Sequence, residues 1–172
     1  MIDKNSKIEQ GVHEGWQEPP SFQIFPLITR SGLLAKLIGD IGLAKEVDYF
    51  LTFPLTVPFH LDEIPGGSKT LELILRICYD VKIELTPHNV ITLRCASECL
   101  EMTDEFGENN LITLTETYLA EVFATWADTM KSLESCEEVL PDAEDLFLVF
   151  RCLNSLATKS FHRFWKYKLD FG

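Results

Sequence analysis

Apolar residues recur at one-face helical spacing along most of this chain, and turn residues separate the runs. Leu71, Ile74, Leu75 and Cys78 are three and four apart, which predicts an amphipathic helix. Pro65-Gly66-Gly67 precedes it as a turn signal, with Ser68 as the candidate N-cap. Leu93, Ala96 and Leu100 mark a second buried helical face. Thr86 suits its N-cap and Pro87 its first position, where a missing N–H costs nothing. Val81–Leu85 is a short extended link between the two, so residues 64–103 read as a compact helical hairpin.

The flanking runs are longer. Phe25-Pro26-Leu27-Ile28 opens a helical stretch that continues through Leu33, Leu34, Leu37 and Ile38. Leu111, Leu114, Tyr118, Leu119, Val122, Phe123, Trp126, Met130 and Leu133 keep the spacing of one long amphipathic helix, capped by Asn109 or Asn110. Pro141 ends the following linker, and Asp142, Glu144 and Asp145 put negative charge where a helix start favours it. Leu146, Val149, Phe150, Leu153 and Leu156 then form an inner stripe. Helices with such faces gain most of their stability from packing, so these are expected to lie on each other and on the hairpin. Residues 1–21 lack periodicity and read as a disordered leader. Between residues 45 and 60, Pro54 and Pro58 forbid a regular helix, while Phe53, Leu55, Val57 and Phe59 alternate as in an edge strand.

Composition narrows the function classes. The chain has 172 residues, 46% hydrophobic and 24% charged, which suits one soluble domain. Its net charge of −12 argues against a nucleic-acid binder, which must neutralise phosphates with Lys and Arg. Fourteen Asp or Glu and a single base, Lys131, lie between Glu98 and Asp145. That is either a solvated face or a docking surface for a basic partner. The tail from Ser160 to Lys168 is instead basic and aromatic. It either continues a packed helix through Phe161, Phe164 and Trp165 or lies on an anionic membrane surface.

Candidate chemistry is sparse. The 5 cysteines, without an apolar N-terminal signal, point to a reducing compartment. Cys95 and Cys99 are one helical turn apart, but His88 lies about 10 Å before Cys95 along the axis, too far to share a metal ion. They read as buried thiols acting as small apolar residues. His13, His60, His88 and His162 are scattered, and no nucleophile elbow, phosphate loop, dinucleotide fingerprint or zinc-helix motif occurs. The expectation is a chain that is not an enzyme, with no cofactor and no metal.

Several blocks follow one another in a telling order: PGG, LELI, ICYDVKIELTPHNV, LRCASECLEMT, GENNL, LPDAEDL and RCLNSLATK. Together with Phe25–Gly32 they resemble the plant phototropism-signalling BTB/POZ family, the non-phototropic hypocotyl and root-phototropism-like proteins. Residues 61–103 are similar to the second half of its BTB/POZ domain, and residues 107–159 to the helical segment that follows. The chain departs from the pattern upstream. Gln23-Ile24 replace the usual His-Lys, the first strands with their Asp-Ile and Val-Gly signatures are missing, and residues 45–60 replace a short polar linker.

The resemblance implies a partial, N-terminal member. Its fold would be mainly α, an α+β BTB/POZ-like arrangement with a depleted sheet, in which a helical hairpin core is followed by two longer antiparallel helices. The chain would divide into a leader (1–21), a partial BTB/POZ-like domain (22–106, with 45–60 an atypical insertion), a post-BTB helical segment (107–160) and a basic aromatic tail (161–172). In function the resemblance implies a cytoplasmic adaptor, the substrate-recognition subunit of a cullin-3 ubiquitin ligase, working beside a receptor kinase at the plasma membrane. The implied partner-binding residues are Glu98, Glu101, Asp104, Glu105 and Phe106, with exposed residues of the helix from Leu111. The family's usual homodimer is not expected, because the strands that knit it are missing. A fragment without full adaptor activity and a peripheral membrane scaffold remain the alternatives.

Overall fold

The computed structural model describes residues 22–23, 25–40, 50–51, 64–107 and 110–171. The leader and the alternating run from Phe53 to Phe59 lie outside these residues. Two-residue strands β1 (Phe22–Gln23) and β2 (Phe50–Leu51) pair antiparallel, Phe22 opposite Leu51. Everything else of regular structure among the described residues is helical, so the fold is mainly α and the sheet of an α+β arrangement is not seen.

The first helical stretch is broken. Helix α1 (Phe25–Ile28) ends in a turn at Thr29-Arg30, and α2 (Gly32–Asp40) starts afresh. Ser31 causes the restart, because its hydroxyl accepts from Leu34 N at 3.2 Å as an N-cap while donating to Leu100 O at 2.6 Å. Its neighbours also bind away from their own helix. Arg30 donates to Ile77 O at 3.1 Å and pairs with Asp80 at 2.6 Å.

The hairpin is present as α3 (Gly67–Cys78) and α4 (Val90–Cys99), with both caps shifted from expectation. Gly66, not Ser68, caps α3, at φ 77°. A Cβ there would stand 2.1 Å from Thr92 and 2.2 Å from Thr70, so only glycine fits both the backbone and the space. The regular part of α4 begins at Val90, one turn after Pro87. Thr86 still starts the turn through its backbone. Its carbonyl accepts from Val90 N at 3.0 Å, and its N–H donates to Asn89 Oδ1 at 2.8 Å. Both helices end in Schellman closures. Val81 N reaches Arg76 O at 2.9 Å with Asp80 at φ 58°, and Met102 N reaches Ser97 O at 2.9 Å with Glu101 at φ 52°.

The two longer antiparallel helices are each split. Helix α5 (Leu111–Val122) and α6 (Trp126–Ser135) replace the first of them. Asn110 caps α5 as expected, accepting from Thr113 N at 3.0 Å. Thr125 then caps α6, accepting from Asp128 N at 3.1 Å. The bend strands the carbonyl of Phe123, which is captured by Ser155 Oγ at 3.0 Å and by Lys159 Nζ. A 3₁₀ turn (Cys136–Val139) leads to α7 (Leu140–Asp145), with Pro141 in its first turn. Phe147 then breaks the chain at φ 57°, and α8 (Leu148–Phe171) follows.

These breaks rotate the predicted faces. Leu148, Cys152 and Leu156 are the buried residues of α8, whereas Phe150 and Leu153 face solvent. Leu114 and Trp126, placed in the inner stripe by spacing alone, are exposed as well. The tail does continue a helix, but Phe161, Phe164 and Trp165 do not pack it.

Two apolar clusters form the interior. One gathers Leu27, Ile64, Ile74, Leu93, Leu100 and Met102 with their neighbours, and the other gathers Ile91, Leu119, Val122, Val139, Leu148 and Cys152 with theirs. Helix α4 serves both, so Val90–Leu93 and Cys95–Ser97 are buried in unbroken runs. It touches α3 on one side and α5, α6 and α7 on the other.

Candidate interaction surface

The exit of α4 carries all five residues singled out from the sequence. Glu98 is exposed and pairs with Arg94 Nη1 at 2.8 Å. Glu101 is half-buried, and its carboxylate grips Lys36 Nζ at 2.8 and 2.5 Å. Its carbonyl accepts from Gly32 N at 3.1 Å, which docks the start of α2 on the end of α4.

Asp104, Glu105 and Phe106 make one 3₁₀ turn beyond that point. Asp104 Oδ1 accepts from Asn110 Nδ2 at 2.5 Å, so it steadies the cap of α5. The Phe106 ring lies over Gly32, where a Cβ would be 2.6 Å from the ring and 2.6 Å from Glu101 Oε2. Glu105 is exposed. The structure therefore brings the five together and gives three of them, Glu101, Asp104 and Phe106, a part in holding the turn.

A buried-edge ion network supports this exit from behind. Glu116 of α5 receives Arg94 Nε at 2.9 Å and both terminal nitrogens of Arg151, at 3.1 and 2.9 Å. Burial raises the Glu116 carboxyl, but hydrogen bonds and charge from Arg151 and Arg94 outweigh it and hold the group below its ordinary value. Arg151 also lies over the Phe123 ring, 5.1 Å from its centroid. Helices α4, α5 and α8 are thus tied at one carboxylate.

The thiols are interior groups. Cys78, Cys95, Cys136 and Cys152 are buried, and Cys99 is half-buried. Burial pushes Cys78 up to about 11 and Cys95 up to about 12. Cys136 is raised by its hydrogen bond with Cys152 and by burial. Raised and enclosed, Cys78 and Cys95 are poor nucleophiles and poor ligands. Among the described residues no group of three or more His, Cys, Asp or Glu could hold a metal ion. None of their helices is long and apolar enough to cross a membrane.

Sequence reasoning missed two sets of residues. Arg30-Ser31-Gly32 joins the ends of α3 and α4, and its signal was the polar, glycine-ended break in an apolar run. The outer face of α8 was missed because Phe150 and Leu153 repeat at the same spacing as the inner residues.

Comparison with known proteins extends the picture. Three BTB/POZ domain-containing proteins of Arabidopsis thaliana are 52%, 44% and 38% identical to the chain over 136, 137 and 139 residues. Each match covers 79% of this chain but only 22%, 19% and 21% of the relative, so the chain spans about a fifth of their length. No family model matches the sequence. No solved structure matches it either. Over 79% of its length, this chain is similar to plant BTB/POZ domain-containing proteins.

Proposed function

We propose that the chain is a non-catalytic protein-interaction adaptor, resembling the substrate-recognition subunit of a cullin-3 ubiquitin ligase in phototropic signalling. On this reading it works in the cytoplasm beside a receptor kinase at the plasma membrane. It comprises a partial BTB/POZ-like domain (22–106), a post-BTB helical segment (107–160) and a basic aromatic tail (161–172).

The observation that carries the reading is the exit of α4. Glu98 and Glu105 are exposed beside a half-buried Phe106, on a turn fixed by Lys36, Asn110 and Gly32. Glu101 adds to this. It occupies a left-handed position, φ 52°, where glycine is cheaper by about 1 kcal/mol, and so keeps a carboxylate at that spot. A rigid acidic turn with an aromatic at its centre suits a basic, apolar-pocketed partner, the charge steering approach and the ring anchoring it.

The test is a pulldown with the purified N-terminal domain of cullin-3. Micromolar binding that is lost in the double variant Glu98→Lys, Glu105→Lys, with an unchanged thermal melt, supports the proposal. Failure of the parent chain to bind at micromolar protein overturns it.

A further inference from the structure

Helix α8 has two apolar faces. The inner one holds Leu148, Cys152 and Leu156 against the rest of the molecule. The outer one carries Phe150, Leu153, Ala157, Phe161, Phe164 and Trp165, which at about 100° per residue fall within an arc of roughly 120°. The large members of this stripe range from 50% exposed at Trp165 to 70% at Phe161, and Phe147, just ahead of the helix, is 69% exposed. A stripe of this length is not the scatter of single apolar residues seen on ordinary surfaces.

We infer that the outer face of α8 pairs antiparallel with the same face of a second copy of this chain. Two features of the stripe favour that occupant. The first is its internal symmetry. With a twofold axis at the exposed Ala157, Phe150 of one copy meets Phe164 of the other, and Leu153 meets Phe161. The small residue lies at the centre, where two helix backbones must come closest, and the rings lie toward the ends. The second is charge. On the stripe's own side the helix finishes in Lys168, and it is preceded by Asp142, Glu144 and Asp145. An antiparallel pair sets the basic end of each copy beside the acidic start of the other, whereas a parallel pair would juxtapose like charges.

The size is sufficient. At ~150–250 Å² per large aromatic side chain, the exposed portions offer roughly 700 Å² per copy. Both copies together approach about 1,400 Å², within the range of specific interfaces. This pairing uses residues remote from the α4 exit and does not rest on the adaptor reading.

Sedimentation equilibrium of the full chain over a micromolar concentration series tests it. The expected result is a monomer–dimer equilibrium in the parent. The double variant Phe161→Asp, Phe164→Asp should be monomeric throughout and keep the parent's melt at low concentration, since both side chains are largely exposed in the monomer. Lys168→Glu should weaken the dimer several-fold, and adding Asp145→Lys should restore it. A parent that stays monomeric overturns the inference, as does a dimer unmoved by the Phe variant. A monomeric parent that co-sediments with phosphatidylcholine–phosphatidylserine vesicles, and loses this with the Phe variant, assigns the stripe to a membrane surface instead. A dimer lost with the Phe variant but indifferent to both charge changes overturns the antiparallel arrangement.

Discussion

Helices α4 and α8 put similar apolar content to opposite use. Helix α4 has 10 residues and is enclosed on both sides, serving two apolar clusters at once. Helix α8 has 24 residues, packs through its first half, and presents large apolar side chains to solvent along its whole outer face. The difference teaches that apolar spacing marks a face that wants covering without saying what covers it. In α4 the cover is the chain itself. In α8 it is supplied for one face only.

Substitution should separate the two most sharply at Leu93 and Phe150. Leu93 is 0% exposed, so Leu93→Ala should lower unfolding free energy by about 2–5 kcal/mol in urea titrations. Phe150→Ala, on a ring 64% exposed, should change the monomer's stability by less than about 0.5 kcal/mol. Comparable losses at the two sites would break the comparison.

The turn that seats α3 against α4 comes next. Gly66→Ala forces a left-handed conformation and a contact 2.1 Å from Thr92. The expected cost is about 2–4 kcal/mol, read as a lowered midpoint at unchanged slope. An unaffected midpoint would mean that the hairpin seats itself without that glycine.

Smaller effects bear on how α5 is held beside α4. Asn110→Ala removes the cap on Thr113 N and the donor to Asp104, and should cost about 1 kcal/mol in the same titration. Glu116 supplies an acid-side signature. Its folded pKa lies below the ordinary 4.5, so its contribution is present above that value and is lost as pH falls through the folded one. Melting temperatures measured through the acid limb should therefore fall less steeply in Glu116→Gln than in the parent. Equal slopes would show that the Arg94 and Arg151 contacts add nothing.

The hairpin was legible because its signals are local. Pro65-Gly66-Gly67 interrupts any helix, and Leu93, Ala96 and Leu100 repeat on one face whatever surrounds them. Asn110 was legible for the same reason, since a cap binds its own helix. The breaks at Ser31, Thr125 and Phe147 were not. Ser31 restarts a helix because Leu100, far along the chain, takes its hydroxyl. The bend before Thr125 strands a carbonyl that α8 then satisfies. The first two are weak local preferences decided by a distant partner, and periodicity runs straight through all three. The acidic surface was readable as a cluster of residues. That Glu101, Asp104 and Phe106 also brace their own turn was not, because the bracing depends on Lys36, Asn110 and Gly32 meeting in space.

The captured Phe123 carbonyl has a consequence in time. Its partners Ser155 and Lys159 are made 32 and 36 residues after it. At synthesis rates of roughly 5–20 residues per second, that is a wait of about 2–7 s. Through that interval water must stand in for α8, and α5 and α6 remain free to swing at their joint. The elbow is thus a latch set by a segment made later than the joint it closes, and its closing should follow the formation of α5 and α6.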